Sequence, residues 1–244
     1  MNRVQLIGVE GLPEVQPGDD LALLIAERAT LQHGDVLVVA QKVVSKAEGR
    51  LVELGSVTAS EEAERIAPRL IAAPDPRMVQ VVLDESVRVL RSDRVLITET
   101  RNGFISANSG VDHSNVGAGM LALLPVDPDA SAQRIRQALA ERTGERVGVI
   151  VSDTFGRPWR LGIVNVALGV AGLPALIDLR GTTDDTGQPL HATVLAIADE
   201  IAASAGLVMG KTGRTPAVIV RGLALEGDGS GRDLIRPADE DLFR

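Results

Sequence analysis

A mixed α/β fold in which helices cover sheets is what this sequence predicts, and three observations carry that expectation. Short Val- and Ile-rich runs alternate with amphipathic stretches along the 244 residues. Apolar residues make up 45% of the chain and aromatics only 2% (Phe104, Phe155, Phe243 and Trp159), so Val, Leu, Ile and Ala must fill the core. Gly, Pro and capping residues punctuate the runs, with no low-complexity linker and no convincing repeat. The length fits one domain over 1–244 or two closely packed subdomains, with a boundary near the Gly-rich loop after Asp112 left open. Alternation alone does not set strand order, so a simple Rossmann or P-loop sheet is not implied.

In chain order, Pro17, Gly18 and Asp19 open a helix expected to reach about Gln32, and Gly34 ends it before a strand from Asp35 to Ala40. Thr58 or Ser60 caps the next helix, whose first turn holds Glu61, Glu62 and Glu64 as a solvated start facing the positive end of the helix dipole. A helix from Pro76 to about Val87 follows, and Arg94 to Ser106 reads as extended, with Gly103 marking a hairpin or bend. Asn108 to Gly119 is loop, Asp129 to Arg142 an amphipathic helix, and Val147 to Val151 a β-branched run typical of a buried strand. The longest uncharged run, Leu161 to Ile177, is barely long enough for a membrane span. It contains Gly162, Asn165, Gly169, Gly172 and Pro174, so it reads instead as a buried core helix followed by a turn. Leu190 to Ala205 is expected to be helix and Ala217 to Val220 strand; the pairs Arg180-Gly181 and Arg221-Gly222 each end a strand.

Charge and composition remove several function classes. Acidic residues number 33 and basic residues 25, a net charge of −8 and the wrong sign for a protein that neutralises nucleic-acid phosphates. The chain has no cysteine, which excludes disulfides, thiolate metal sites, iron–sulfur clusters and a Cys nucleophile. The start MNRVQLIGVEGLPEV meets Glu10 too early, and its apolar stretch is too short, for a secretory signal; the expected location is cytoplasmic, with no membrane partner.

Chemistry concentrates in a few polar segments. Asn108-Ser109-Gly110-Val111-Asp112-His113-Ser114-Asn115 is either a ligand loop or a surface turn held by Asx-type bonds. Ser152-Asp153-Thr154-Phe155-Gly156-Arg157-Pro158-Trp159-Arg160 directly follows the Val-rich strand. Its hard oxygen donors, Asp153 and Thr154, suit Mg²⁺ or Mn²⁺ bridging nucleotide phosphates, with arginine charge at hand. The structural alternative there is a helix capped by Asp153 with Trp159 in the core. Gly210-Lys211-Thr212 ends like a Walker A motif, but position 205, where that motif needs Gly, is Ala205, and a helical pattern precedes it. Lys42 and Lys46, four apart after a strand, would share one helix face, either gripping phosphate or simply solvated. His33, His113 and His191 have no zinc-ligand spacing. No GxGxxG and no Gly-x-Ser-x-Gly elbow is present.

Several segments together, GVEGLPEV, VVAQKVVSKAEGR, TETRNGFISANSGVDHSNV, SDTFGRPWRLGIVNVALGVAG and LVMGKTGRTPAVIVRG, resemble the coenzyme F420-0:L-glutamate ligases. This is the CofE family, with its counterpart in the amino-terminal domain of the actinobacterial FbiB proteins, and the resemblance runs in order along essentially the whole chain. It implies a CofE-like α+β fold, a homodimer with the site near the subunit interface, and GTP as cosubstrate. The implied reaction joins the F420-0 carboxylate to L-glutamate through an acyl phosphate, releasing GDP and phosphate, with further γ-linked glutamate addition. It further implies two divalent cations, Mg²⁺ or Mn²⁺, with K⁺ as a further candidate. Asp112 and Asp153 resemble the carboxylate ligands of one ion, and Thr154 a ligand of the second. Gly11, Leu12, Pro13, Glu14, Gln41, Lys42, Lys46 and Asn115 resemble nucleotide contacts, as does the stretch Leu207, Val208, Met209, Gly210, Lys211, Thr212, Gly213 and Arg214. Arg157 and Arg160 are assigned from charge alone to anionic substrate or transition-state charge. FbiB proteins carry a nitroreductase-like flavin domain after this region, whereas this sequence ends at Arg244. Two rival readings are another metal-dependent phosphoryl-transfer enzyme, which would release no GDP in response to glutamate, and a GTP-binding protein without turnover, which GTP would stabilise but which would not hydrolyse it.

Overall fold

The strand expected at Asp35–Ala40 forms the centre of a five-stranded sheet in a computed structural model that describes residues 3–210 and 213–241. Along the chain the elements are β1 (Gln5–Gly8), α1 (Leu21–Ala26), β2 (Val36–Ala40), α2 (Gln41–Ala47) and β3 (Leu51–Glu53). Then come α3 (Glu61–Ile66), α4 (Pro76–Asp84), β4 (Ser86–Asp93), β5 (Val95–Thr100), β6 (Ile105–Ala107) and β7 (Met120–Ala122). The remainder is α5 (Pro128–Thr143), β8 (Gly148–Arg157), β9 (Arg160–Ala171), β10 (Ile177–Asp178), β11 (Val194–Leu195), α6 (Ile197–Met209) and β12 (Ala217–Arg221).

The large sheet has the order β1-β12-β2-β8-β9, in which β2 and β8 are the only neighbours that pair in parallel. Small antiparallel sheets pair β3 with β7, β10 with β11, and β5 with both β4 and β6. The fold is therefore the expected mixture of α and β, and its strand order differs from that of a doubly wound parallel sheet. On one face of the large sheet Leu37, Val39, Val149 and Val151 pack with Leu21 and Ile25 of α1, Val44 of α2, and Ile135 and Leu139 of α5. On the other, Val36, Val38, Ile150, Val218 and Val220 pack with Ala198, Ile201, Ala202 and Ala205 of α6. A separate core joins α3 and α4 to Leu96, Val111, Leu121 and Leu123, and Phe104, Leu124 and Leu168 form a small cluster of their own.

Several expectations need correction. The run Leu161–Ile177 is not a core helix: most of it is β9, whose inner half from Ala167 to Ala171 is buried. Gly169 there lets the start of α5 press directly on the strand, since a Cβ would lie 2.1 Å from the Pro128 carbonyl oxygen. The first helix ends at Ala26 rather than near Gln32; the following chain is held by the Arg221 guanidinium on the Thr30 carbonyl (3.0 Å) and by the Gln32 N–H on the Asp35 carboxylate (2.8 Å). The helix expected from Leu190 begins at Ile197, because Val194 and Leu195 pair with Asp178 and Ile177. The helix from Pro76 stops at Asp84 and is followed by the charged strand β4. The helices expected after Ser60 and over Asp129–Arg142 lie close to the observed α3 and α5: Ser60 accepts from the Ala63 N–H (3.2 Å), Asp127 accepts from the Ala130 N–H (3.0 Å), and Gly144 takes a left-handed turn after α5.

Candidate functional site

Chain direction brings the polar segments to one edge of the large sheet. Since β1, β2 and β8 point the same way and β12 points against them, the segments after β1 and β2, the outer part of β8 and the segment before β12 all emerge there. The Val9 N–H bonds the Ala217 carbonyl (2.9 Å) and the Ala40 N–H bonds the Pro216 carbonyl (2.8 Å), which ties these exits together. Ligands of open α/β sheets commonly bind in a crevice at the carboxyl ends of parallel strands, an arrangement reached here with a single parallel pair.

Helix α2 begins directly where β2 ends, so Gln41, Lys42 and Lys46 sit at the edge. Gln41 is buried and accepts a hydrogen bond from the Ser45 hydroxyl at 2.9 Å. Lys42 Nζ donates to Asp112 Oδ2, the Ser114 carbonyl and Ser114 Oγ, each at 2.7 Å. Lys46, buried rather than solvated, donates to the Glu14 carboxylate and to the Asn115 carbonyl at 2.7 Å. The two lysines thus fasten the 112–115 loop and the 11–14 turn to α2. Arg28 secures the turn from the far side through the Gly11 carbonyl (2.9 Å), while Leu12 packs on the first core.

The 112–115 loop is positioned by an anchor the sequence did not reveal. Asn108 and Ser109 both take positive φ, 55° and 50°, a conformation costly for residues with a Cβ. Ser109 is held there by its N–H to Thr98 Oγ1 (3.0 Å) and by its hydroxyl against Thr98 Oγ1 (2.7 Å) and the Val82 carbonyl (3.2 Å). A threonine in an extended run carries no marker for this role. Asp112 then pairs through its backbone with Ala122. Asp112 Oδ1 accepts from the Ser114 N–H (2.7 Å), an Asx turn, and Oδ2 accepts from Ser114 Oγ (2.9 Å) as well as Lys42. Burial pushes the Asp112 carboxyl up, but the bonds from Lys42 and Ser114 outweigh it and hold it below the ordinary value.

Asp153 lies within β8, which continues through Arg157, so it caps no helix; Trp159 is 77% exposed and is not in the core. Strand alternation puts Asp153 on the face of Val149 and Val151, the face that α2 covers, and Thr154 on the face of Ile150 and Ser152. Thr154 is paired in register with Asn165, whose amide reaches Met209 Sδ at 3.5 Å beside the end of α6. Arg157 donates to the Leu161 carbonyl within the hairpin tip, and Arg160 is exposed. Leu207 and Gly210 are exposed, Val208 packs on the second core, Met209 is buried, and Gly213 and Arg214 are exposed, Arg214 with φ of 52°. Lys211 and Thr212 lie outside the described residues. The helix before them is observed, in keeping with the rejected Walker A reading.

Among the described residues no group of three or more His, Cys, Asp or Glu side chains is arranged to hold a metal ion. The donor chemistry at this edge suits a different arrangement, in which one or two carboxylates share an ion with phosphate oxygens and water, as Mg²⁺ sites on nucleotides do. No helix among the described residues is long and apolar enough to cross a membrane.

Comparison with known proteins gives the family. The chain is 45% identical over 251 residues to the coenzyme F420:L-glutamate ligase of Methanothermobacter thermautotrophicus, covering 99% of both chains. It is 46% identical over 243 residues to that of Archaeoglobus fulgidus, covering 99% of this chain and 97% of the relative. Against that of Methanopyrus kandleri it is 45% identical over 254 residues and the full length of both. The family model for F420-0:Gamma-glutamyl ligase matches residues 11–222, a span that takes in every polar segment of the sheet edge, and the chain belongs to that family.

Proposed function

We propose that the protein is a ligase that forms an amide bond between the carboxylate of coenzyme F420-0 and the amino group of L-glutamate at the expense of GTP, and that it can extend the product by γ-linked glutamate. The observation that carries this reading is near-full-length identity of 45 to 46% to relatives named coenzyme F420:L-glutamate ligase. The chemistry supports it. A carboxylate acylates poorly because oxide is a poor leaving group; transfer of the GTP γ-phosphoryl makes an acyl phosphate, and the glutamate amine then displaces phosphate.

In this reading Lys42 and Lys46, with the 11–14 turn, Gln41, Asn115 and the 207–214 segment, bind the nucleotide. Lys42 and Lys46 meet its phosphates as point charges. Asp112 and Asp153, on the α2 side of the sheet, would hold a divalent ion, Mg²⁺ or Mn²⁺, with Thr154 assigned to a second. Such ions, when bound, offset charge on the β- and γ-phosphates. Arg157 and Arg160 supply positive charge to the anionic substrate. The working unit is a homodimer in the cytoplasm; the outer β8–β9 hairpin, with Leu161 96% and Ile163 58% exposed, offers an apolar surface for it.

Mass spectrometry of F420-0 incubated with the protein, GTP, L-glutamate and Mg²⁺ or Mn²⁺, with single omissions, tests the reading. Glutamyl adducts that require GTP and the metal are expected. An unchanged precursor in the complete mixture, from protein that still binds GTP, would refute the assigned substrate.

A further inference from the structure

An ammonium group has three N–H donors, and Lys42 spends all three on Asp112 Oδ2 and the two oxygens of Ser114. Lys46, four residues on, spends two, on Glu14 and the Asn115 carbonyl. Among the described residues Lys46 thus keeps one donor for a phosphate oxygen, whereas Lys42 must first release one of the bonds it makes. On Asp112 the oxygen nearer the lysine is the more occupied one: Oδ2 takes both Lys42 and Ser114 Oγ, while Oδ1 takes the Ser114 N–H alone. A divalent ion approaching Oδ2 meets the lysine already there.

We infer that Lys42 and a divalent ion compete for Asp112, and that the nucleotide relieves the competition by drawing Lys42 onto its phosphates. Lys42 thereby couples ion binding to nucleotide binding. The inference rests on the assignment of an ion to Asp112 in the proposed function. An ion arriving alone must evict an ammonium whose side chain is only 19% exposed and leave it facing a greater positive charge without a counterion. A metal–nucleotide complex exchanges partners in one event: the carboxylate passes from ammonium to metal, and the ammonium from carboxylate to phosphate. Ion and nucleotide should consequently bind with positive, reciprocal coupling, typically on the order of tenfold or more. No cluster of three or more His, Cys, Asp or Glu side chains stands at the edge among the described residues, which acts in the same direction, because the ion's remaining ligands would arrive with the nucleotide.

The test is Mn²⁺ binding, followed by the electron paramagnetic resonance of the free ion, with and without GTP, in the full-length protein. Lys42→Gln is expected to bind Mn²⁺ alone on the order of tenfold more tightly than the parent, and to lose most of the gain that GTP gives the parent. Lys42→Arg, which keeps the charge, should bind Mn²⁺ alone as weakly as the parent. Thermal melts report folding of each variant, and Lys42→Met replaces Lys42→Gln if the latter does not fold. If Asp112→Asn abolishes Mn²⁺ binding while the neutral Lys42 variant matches the parent with and without GTP, the exchange is overturned and the ion assignment stands. If Asp112→Asn leaves Mn²⁺ binding intact, or the parent binds none even with GTP, the ion assignment itself fails and the exchange with it.

Discussion

At the amino end of β2, Asp35 is 1% exposed and receives a forked pair of hydrogen bonds from Arg221, 2.8 Å from Nε and 2.7 Å from Nη2. At the carboxyl end, Lys42 meets Asp112 at 2.7 Å with the carboxylate side chain 38% exposed. The separation between these two pairs is the five-residue strand, roughly 16 Å at the usual rise. The planar guanidinium matches the carboxylate in two places and is also tied to the Thr30 carbonyl at 3.0 Å, so exchanging its partner would break several bonds inside the fold. The ammonium at the other end is a point charge on a flexible stem, beside a loop held in a left-handed turn. A cation of one kind fastens the sheet, and a cation of the other fastens a loop that the proposed function assigns to ligand binding.

The largest effect expected from breaking this contrast is chemical. Asp153→Ala should leave a folded protein whose glutamylation rate falls by about a thousandfold or more, measured as product mass at saturating metal. A parental rate would remove Asp153 from the chemistry. Next in size is Arg221→Met, which leaves Asp35 charged and buried without its partner. It should cost about 3 to 5 kcal/mol in urea unfolding while turnover per folded molecule stays near the parental value. A comparable loss from Lys42→Gln would erase the distinction between the two ends.

Acid sharpens it further. The Asp112 carboxyl lies below its ordinary value, so the pair's contribution is present above the unfolded value of about 3.9 and is lost as pH falls through the lower folded value. The stability difference between the parent and Asp112→Asn, no more than about 1 kcal/mol for a pair whose carboxylate is part-exposed to solvent, should therefore be seen at pH 6 and vanish in strong acid. Unfolding curves over a pH series will show it. The smallest effect concerns Asp199 in the first turn of α6, which accepts from the Ala167 N–H at 2.8 Å and whose carboxyl burial pushes up. A raised value penalises the charged form as pH rises from the unfolded value to the folded one. Asp199→Asn should thus raise the melting temperature slightly at pH 7 and not at pH 3.

The sequence was readable where local chemistry decides structure. The capped helices α3 and α5 and the β-branched core of β2 and β8 lie close to where caps and runs put them. It misled where context decides: Leu161–Ile177 lacks the alternation of a half-buried strand because the inner half of β9 is covered on both faces, and length then favours helix. The charged strand β4 was missed for the opposite reason, since its exposed face carries Arg88 and Arg91 and no apolar run. At the site, the polar segments stood out one by one, yet only strand direction brings them to a single edge. Spacing suggested that Lys42 and Lys46 share a face, but not that one is saturated and the other buried. Nor could sequence show that Asp153 and Thr154, being adjacent in a strand, face opposite sides of the sheet.

The proposed function requires metal and nucleotide to bind at the carboxyl edge of the large sheet. Paramagnetic broadening of backbone amide resonances by Mn²⁺ in the presence of GTP checks that placement. Residues 40–46, 112–115 and 153–156 should broaden selectively against a Mg²⁺ reference, while Thr30 to Val36 and Arg221, at the other end of the same strands, keep their intensity. Broadening centred on Asp35, or none that distinguishes the two ends, would contradict the account.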